Sequence, residues 1–254
     1  MTDVRDEPAE AKQKKHKPGH AFRETVLLLA FAVLLALVVK TFFVQSFYIP
    51  SESMQPALEV NDRILVQKPS YWVGEPQRGD VIVFDDPGGW LTGLAGAQPM
   101  SLLARGLAKI GLYPTGGHLV KRVVGVEGDV IVCCDDQGRI SVNGTPIDAD
   151  GFIEPQKNPP KSCDGPMEFN CNWTAGPVPE NTLFVMGDNR DDSADSTVHL
   201  CRPQARNCDA SDTYVPEELV VGKVFALAWP LGRAQFVHRP DAFDDVADPE
   251  PSGG

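Results

Sequence analysis

A long apolar segment near the N-terminus is the feature that most constrains how this chain folds. Residues 25–39 carry almost only aliphatic side chains, and the apolar character resumes after Lys40. A helix needs roughly 20 residues to cross a bilayer. Residues 25–46 are therefore predicted to form a transmembrane helix, with the Lys40 ammonium reaching the outer headgroups.

The charges in front of this segment predict its orientation. Residues 11–23 contain no acidic side chain but carry several basic ones, namely Lys12, Lys14, Lys15, Lys17 and Arg23. Positive charge is retained on the cytoplasmic side of a membrane. Residues 1–24 are thus predicted to be a disordered cytoplasmic tail, and the rest of this single-pass protein of the cell membrane is expected to be extracytoplasmic.

A cleaved secretory signal is the competing interpretation, because it also has a basic start and an apolar core. Cleavage requires small residues after that core. This chain has bulky ones there, namely Phe42, Phe43, Gln45 and Phe47. A membrane anchor is therefore favoured.

The charge of the chain argues against nucleic acid as a partner. The formal net charge is −12 over 254 residues, and no basic cluster follows residue 25. A protein that binds phosphate backbones needs a basic face.

All the cysteines follow the predicted span, which suits disulfides in an oxidising compartment; they are Cys133, Cys134, Cys163, Cys171, Cys201 and Cys208. Cys163 with Cys171, and Cys201 with Cys208, could close local loops. Cys133 and Cys134 would then pair elsewhere or stay reduced. The chain has no C-x-x-C and no histidine at zinc-finger spacing, so a metal site is not predicted, and no other cofactor is expected.

Beyond the anchor, short apolar segments alternate with Gly, Pro, Asn and Asp, as at residues 64–66, 81–84 and 183–186. This spacing favours a mainly β fold. We assign the regions as an extracytoplasmic domain at 47–240, an insertion within it at 85–117, a disulfide-containing β subdomain inserted at 133–180, and a disordered acidic tail at 241–254.

Two further apolar regions have competing interpretations. Residues 220–237 are interrupted by Lys223 and Pro230, so a core strand is favoured over a second span. Residues 90–113 show helical spacing, as at Leu103 and Leu107. They are either a helix on the membrane surface or an insertion packed on the domain body, and the insertion is favoured.

The first segment with chemical potential directly follows the predicted span. Pro50 and Pro56 bracket Ser51 and Ser53, and proline restricts the backbone and keeps it out of a helix. Such a loop suits a hydroxyl that must be held in one position. A plain juxtamembrane linker explains the same residue types.

A serine nucleophile needs a base, and the chain offers lysine rather than histidine. His118 and His199 lie in no motif that suggests a Ser-His-Asp triad. Strand alternation places Lys121 on the same face as Leu119 and Val123. Burial lowers the pKa of a lysine and makes it a neutral base. A surface lysine is the competing interpretation.

A third polar segment, residues 187–196, reads Gly-Asp-Asn-Arg-Asp-Asp-Ser-Ala-Asp-Ser. Its carboxylates and amide are ligand types that calcium accepts. The segment lacks the spacing and the terminal Glu of an EF-hand loop, so cation binding is disfavoured.

These segments resemble motifs of the bacterial type I signal peptidases, which are membrane-anchored Ser-Lys proteases. Residues 50–58 match the family pattern Pro-Ser-x-Ser-Met-x-Pro-Thr-Leu, except that Ala57 replaces Thr. Residues 78–84, 121–129 and 187–196 match three further family motifs in the same order, the last with an Asp where Asn is common.

The resemblance covers about residues 25–240. It implies a mainly β, signal-peptidase-like fold, which self-cleaving repressor-type proteases are expected to share. It also implies Ser53 as the nucleophile, Lys121 as the general base, and an oxyanion hole made by the Ser53 N–H and the Ser51 hydroxyl. Ser193 would hydrogen-bond the lysine amine and orient it.

Three charged residues in the last motif would be structural rather than catalytic, namely Asp188, Arg190 and Asp195. The family often has Arg two positions after the residue that matches Asp195. Thr197 stands there in this chain, which puts an expected ion pair in doubt.

By the same resemblance, apolar side chains would line shallow subsites for small residues at positions −1 and −3 of the substrate: Phe47, Ile49, Pro50, Met54, Leu58 and Val120. Phe84 would assist them. The implied partners are precursor proteins that carry signal peptides, the lipid bilayer and the secretion machinery.

Three other functions remain as alternatives. A repressor-type protease would carry a DNA-binding module instead of an anchor. A penicillin-recognising enzyme needs S-x-x-K, whereas Pro56 stands three residues after Ser53. An inactive exported binding domain is disfavoured because Ser53, Lys121 and Ser193 are all present.

Overall fold

The computed structural model describes residues 18–91, 117–154, 163–165, 171–201 and 208–249. Most of the insertion predicted at 85–117, including its helical spacing, lies outside these ranges, as do the outer parts of both predicted tails. The chain forms two compact units that divide between Val39 and Lys40.

Helix α1 runs Pro18–Phe42 and is rich in Leu and Ala, which are strong helix formers. It begins within the predicted cytoplasmic tail and ends before residue 46, because Val44 starts the first strand. Its side chains from Phe22 to Leu37 are exposed. Among the described residues, no helix combines the length and the hydropathy that a membrane span requires.

The rest of the described chain is mainly β, as predicted from the short apolar segments. Its strands are β1 (Val44–Tyr48), β2 (Arg63–Gln67), β3 (Val81–Asp85), β4 (His118–Gly125), β5 (Ile131–Cys133), β6 (Ser141–Val142), β7 (Thr145–Pro146), β8 (Trp173–Ala175), β9 (Thr182–Met186), β10 (Val215–Pro216), β11 (Val220–Trp229) and β12 (Gln235–Phe236). The same part of the chain also has the short helix α2 (Ser70–Val73) and 3₁₀ turns at Ala210–Thr213, Glu217–Leu219 and Leu231–Arg233, and after the last strand a 3₁₀ turn at Asp241–Phe243.

The strands form two antiparallel sheets. The larger has the order β1-β2-β11-β3-β4-β9-β10, with β12 paired to β11, and the smaller has the order β7-β6-β5-β8. The strands of the smaller sheet lie between Ile131 and Ala175, and the bounds of the inserted subdomain at 133–180 stay a prediction. In the larger sheet, the late strand β11 lies between β2 and β3, so distant parts of the sequence share one core.

The position of β4 inside the larger sheet determines where two charged residues lie. Ile82 of β3 pairs with Lys121 on one side, and Met186 of β9 pairs with Arg122 on the other. Successive side chains of a strand point to opposite faces of the sheet, and on this inner strand both Lys121 and Arg122 are buried.

The cores of the two sheets are joined through β9. Phe184 and Met186 belong to the same cluster as Ile131 and Val142 of the smaller sheet. The rings of Trp173 and Phe184 lie 5.9 Å apart. The smaller sheet is thereby packed against the strand that leads into residues 187–196.

The six cysteine sulfurs come together in three pairs. Cys163 lies with Cys171 and Cys201 with Cys208, as the local loops predicted. Cys133 and Cys134 pair with each other, whereas the sequence analysis expected other partners or free thiols. Strand β5 ends at Cys133, so the alternation that points neighbouring side chains to opposite faces ends there too.

The segment at 241–249 differs from the solvated acidic tail that the sequence predicts. Phe243 and Val246 are buried in the core cluster of the smaller sheet, and the Asn143 Nδ2 donates to the Ala247 carbonyl oxygen over 2.8 Å. The many acidic residues of the segment obscured this apolar pair. Phe243 and Val246 are three residues apart, so both side chains can pack on the same core cluster.

Phe243→Ala should lower the free energy of unfolding by about 3 kcal/mol, because it removes a ring that is only 5% exposed. Denaturant unfolding of the full chain in detergent measures the change. The matched control is Phe236→Ala, whose ring is 69% exposed and whose loss should cost about 0.5 kcal/mol or less. Equal effects of the two substitutions would show that residues 241–249 do not pack on the domain.

Candidate active site

Ser53 and Lys121 meet in the interior of the domain, although they are 68 positions apart in the sequence. The Lys121 Nζ lies 2.8 Å from the Ser53 Oγ. Lys121 is 3% exposed and Ser53 is 9% exposed. The loop between β1 and β2, residues 49–62 and here called the serine loop, supplies the serine. The buried strand β4 supplies the lysine.

Apolar anchors hold the serine loop against the larger sheet. Met54 and Leu58 are buried in the cluster that also contains residues of β2, β3 and β11. The Leu58 N–H donates to the Met54 carbonyl oxygen over 2.8 Å. The Ser51 Oγ lies 3.3 Å from the Ser53 Oγ, so the loop presents both hydroxyls at the same place.

Asn189 fixes the backbone of this loop from the other side. Its N–H donates to the Ser53 carbonyl oxygen over 3.1 Å, and its side-chain Nδ2 donates to the Glu52 carbonyl oxygen over 3.2 Å. No role for Asn189 was predicted from the sequence. The available signal was its place in the motif at 187–196, where a buried amide must satisfy its hydrogen-bonding groups.

Asp195 is buried and accepts hydrogen bonds from three residues. The Gly187 N–H donates over 2.9 Å and the Ser193 hydroxyl over 2.6 Å. Thr197 donates its N–H over 3.0 Å and its hydroxyl over 2.7 Å. Thr197 therefore supplies the donors that an arginine would otherwise provide, and the carboxylate is satisfied without the ion pair that was in doubt.

Ser193 lies in the expected segment, but its contact differs from the one expected. Its hydroxyl donates to Asp195, and within the described part of the chain no hydrogen bond joins it to the Lys121 amine. A carboxylate is a stronger acceptor than an amine, which explains the choice of partner.

Asp188 forms a two-pronged ion pair with Arg122. The Arg122 Nε and Nη2 donate to the two carboxylate oxygens over 2.7 and 2.6 Å, and Nη1 donates to the Gly79 carbonyl oxygen over 2.8 Å. The guanidinium also lies over the Phe152 ring at 4.9 Å. Asp188 and Asp195 thus have protein partners, which weakens the calcium interpretation of this segment.

Arg190 points from the same segment toward the cysteine-rich region. Its Nη1 donates to the Asp164 carbonyl oxygen and lies 3.7 Å from the Met186 Sδ. Arg190 is buried. The residue therefore links the segment at 187–196 to residues 163–165.

Burial lowers the pKa of Lys121 to about 8, even though Asp195, Asp188 and Asp192 act in the opposite direction. Desolvation disfavours the charged ammonium more than these carboxylates favour it. An amine with a pKa near 8 is partly neutral at neutral pH, so it is able to take a proton from the adjacent hydroxyl.

The apolar residues expected to line subsites fall into two groups. Ile49, Met54 and Leu58 are at most 2% exposed and form core beneath the serine loop. Phe47 and Val120 are partly exposed against the same cluster, and Pro50 is exposed. Phe84 belongs to a different, fully buried cluster.

Comparison with known proteins identifies the family. Residues 22–229 match the family described as Signal peptidase, peptidase S26. Signal peptidase I of Mycobacterium tuberculosis (strain H37Rv) is 38% identical over 241 residues, which cover 90% of this chain and 77% of that protein. The chain belongs to the peptidase S26 family. It is therefore a peptide-bond hydrolase of the signal peptidase I class.

One more signal peptidase I is similar over nearly the whole chain, and a solved structure is similar over a smaller part of it. Signal peptidase I of Leptolyngbya laminosa is 30% identical over 236 residues, which cover 93% of this chain and 94% of that protein. A crystal structure of a signal peptidase I from Enterococcus faecalis V583 shares 20% identity at a TM-score of 0.33, and covers 59% of this chain and 97% of that one.

Gly187 of this S26 peptidase is a second residue for which the sequence predicted no role. A Cβ at this position would lie 2.3 Å from the Ser193 Oγ and 2.4 Å from the Ser53 carbonyl oxygen. Glycine is required because the backbones of the serine loop and the segment at 187–196 approach each other here. Gly187 thus lies between the Ser53 backbone on one side and the Ser193 side chain on the other.

Gly187→Ala should reduce the kcat/KM of peptide hydrolysis by about 100-fold, because a shift of roughly 1 Å in a reacting group costs about that much. Gly151→Ala is the matched control, since nothing lies within 4 Å of a Cβ built there. Circular dichroism and the Tm check that both variants fold. Wild-type activity in a folded Gly187→Ala variant would contradict the close approach.

Proposed function

We propose that this S26 peptidase cleaves N-terminal signal peptides from exported precursor proteins, with Ser53 as nucleophile and Lys121 as general base. The observation that carries the proposal is the 2.8 Å contact between the Lys121 Nζ and the Ser53 Oγ. The burial of both side chains and the lowered pKa of Lys121 support the same assignment. A nucleophile within hydrogen-bond distance of a neutral base is the arrangement that acyl transfer requires.

In the proposed reaction, the neutral Lys121 amine takes the proton from the Ser53 hydroxyl while Oγ attacks the scissile carbonyl carbon. The resulting ammonium then gives that proton to the departing amine, which leaves an ester between Ser53 and the precursor's signal peptide. Lys121, neutral again, activates the water that hydrolyses this ester.

The oxyanion of the tetrahedral intermediate would be bound by the Ser53 N–H and the Ser51 hydroxyl. The position of Ser51 supports this role, since its Oγ lies 3.3 Å from the Ser53 Oγ. Donors that are already in place cost no reorganisation when the charge develops.

The proposed role of the segment at 187–196 is to hold carboxylates near the base. Asp195, Asp188 and Asp192 all favour the charged form of Lys121, so they stabilise the ammonium that forms during the reaction. Ser193 would act by fixing Asp195, to which it donates, rather than by contacting the lysine directly. Arg190 and Arg122 would hold the segment in place.

Substrate selection is proposed to use the accessible apolar side chains near Ser53. Phe47, Pro50 and Val120 are at least partly exposed, and they would contact small residues at positions −1 and −3 of the precursor. The buried residues beneath them, Ile49 and Met54, would keep these subsites shallow.

The proposed location is the outer side of a cell membrane. The proposed anchor is the apolar sequence at residues 25–46, with the basic residues before it on the cytoplasmic side. The three cysteine pairs would then be disulfides of an oxidising compartment. The bilayer and the secretion machinery would present the precursor near the site.

Ser53→Ala and Lys121→Ala should each lower the cleavage rate of a secretory precursor by about 10⁴-fold or more, since members of a catalytic unit fail together. The assay uses the full chain in detergent and follows the shortened precursor by electrophoresis. The controls are Ser46→Ala, on strand β1, and Lys68→Ala, directly after strand β2, and both should retain wild-type rates. Substantial cleavage by either test variant would rule out the dyad.

The kcat/KM should rise about tenfold per pH unit on the acid side of about pH 8 and level off above it, because only the neutral Lys121 amine acts as base. Asp192 favours the ammonium and is exposed, so Asp192→Asn should move this inflection to lower pH. Rate profiles between pH 5.5 and pH 10 measure both effects. An optimum on the acid side, or an inflection that Asp192→Asn raises, would argue against a lysine base.

A further inference from the structure

Two of the cysteine pairs lie against each other, outside the site described above. The sulfur atoms of Cys133, Cys134 and Cys163 are all within 4.8 Å of one another. Cys133 pairs with Cys134, and Cys163 pairs with Cys171. One sulfur of the second pair therefore lies next to both sulfurs of the first.

Each of these pairs has one buried and one accessible member. Cys133 is 2% exposed and Cys163 is 3% exposed, whereas Cys134 and Cys171 are partly exposed. An external thiolate attacks the sulfur that it can reach and expels the other as a thiolate. Attack at Cys134 would thus release the Cys133 thiolate in the interior, beside Cys163.

Neighbouring contacts hold the two pairs together. Cys133 pairs with Trp173 across strands β5 and β8, and the Trp173 Nε1 donates to the Gly165 carbonyl oxygen over 2.7 Å. A Cβ on Gly165 would lie 2.6 Å from the Trp173 ring. Residues 163–165 are therefore seated closely on β8, and Cys163 is kept beside Cys133.

We propose that Cys133, Cys134, Cys163 and Cys171 form a thiol–disulfide exchange site that takes an extracytoplasmic dithiol as its reductant. One thiolate of the dithiol attacks the Cys134 Sγ and expels the Cys133 thiolate. That thiolate attacks the Cys163 Sγ, forms a Cys133–Cys163 bond and expels the Cys171 thiolate.

The second thiol of the reductant then attacks the mixed disulfide and frees Cys134. In total the dithiol becomes a disulfide, two electrons enter the protein, and the two protons of the dithiol end on Cys134 and Cys171. In the product, the one disulfide left among these four cysteines joins the buried Cys133 and Cys163. The accessible Cys134 and Cys171 are thiols.

The exchange would preserve a contact to the candidate active site. Asp164 follows Cys163, and its carbonyl oxygen accepts a hydrogen bond from Arg190. The Cys133–Cys163 bond ties this segment directly to β5. The first two-electron reduction would therefore leave Asp164 in place beside Arg190.

The test is a limited reduction of the full chain in detergent with one equivalent of dithiothreitol. Cys201 and Cys208 are both exposed and would compete for the reductant, so the Cys201→Ala/Cys208→Ala variant is used. Free thiols are alkylated, the protein is digested without further reduction, and the peptides are identified by mass spectrometry. We expect alkylated Cys134 and Cys171 together with a peptide that links Cys133 to Cys163.

Alkylation of Cys133 with Cys134, or of Cys163 with Cys171, without a Cys133–Cys163 link would overturn the proposal. Wild-type protein treated with two equivalents provides a second measurement if the double variant does not fold, and there Cys201 and Cys208 should also be alkylated. In Cys133→Ser the attacking thiolate is missing, so no cross-linked peptide should form.

Discussion

The removal of the Lys121 side chain from water is the constraint on which the rest of the site depends. An ammonium in bulk water is strongly solvated, and β4 carries this one into the interior of a sheet. Desolvation lowers the pKa of the amine to about 8, and the same burial leaves the Ser53 hydroxyl as its hydrogen-bond partner. A lysine on an exposed strand would stay charged at neutral pH and could not accept a proton from serine.

The charged residues around this lysine are arranged so that its burial is tolerated. Asp188 is paired with Arg122, and Asp195 accepts hydrogen bonds from Gly187, Ser193 and Thr197. Both carboxylates therefore have hydrogen-bond partners of their own besides Lys121. The negative charge of Asp188 and Asp195 offsets part of the free-energy cost of desolvating the Lys121 ammonium, which keeps the pKa of Lys121 from falling further.

Much of the site could be predicted from local sequence, because its motifs have short-range physical requirements. The prolines around Ser53 predicted a constrained loop, and the alternation around Lys121 predicted a lysine on an apolar face. Other features depend on contacts between distant segments. The partners of Asn189 are backbone carbonyls of the serine loop, and the need for glycine at 187 arises only where that loop approaches. The acidic composition of residues 241–249 likewise gave no indication that Phe243 and Val246 would be buried.

By itself, the sequence determined the mainly β character of the domain and which residue types were available for chemistry, because strand alternation, turn residues and motif spacing are local properties of the chain. Only the tertiary structure decided which groups meet. It placed Ser53 against Lys121, directed Ser193 to Asp195 instead of the lysine, let Thr197 satisfy that carboxylate, and paired Cys133 with Cys134. Hydrogen bonds and desolvation act over a few ångströms, so their partners are settled by the packing of strands that are far apart in sequence.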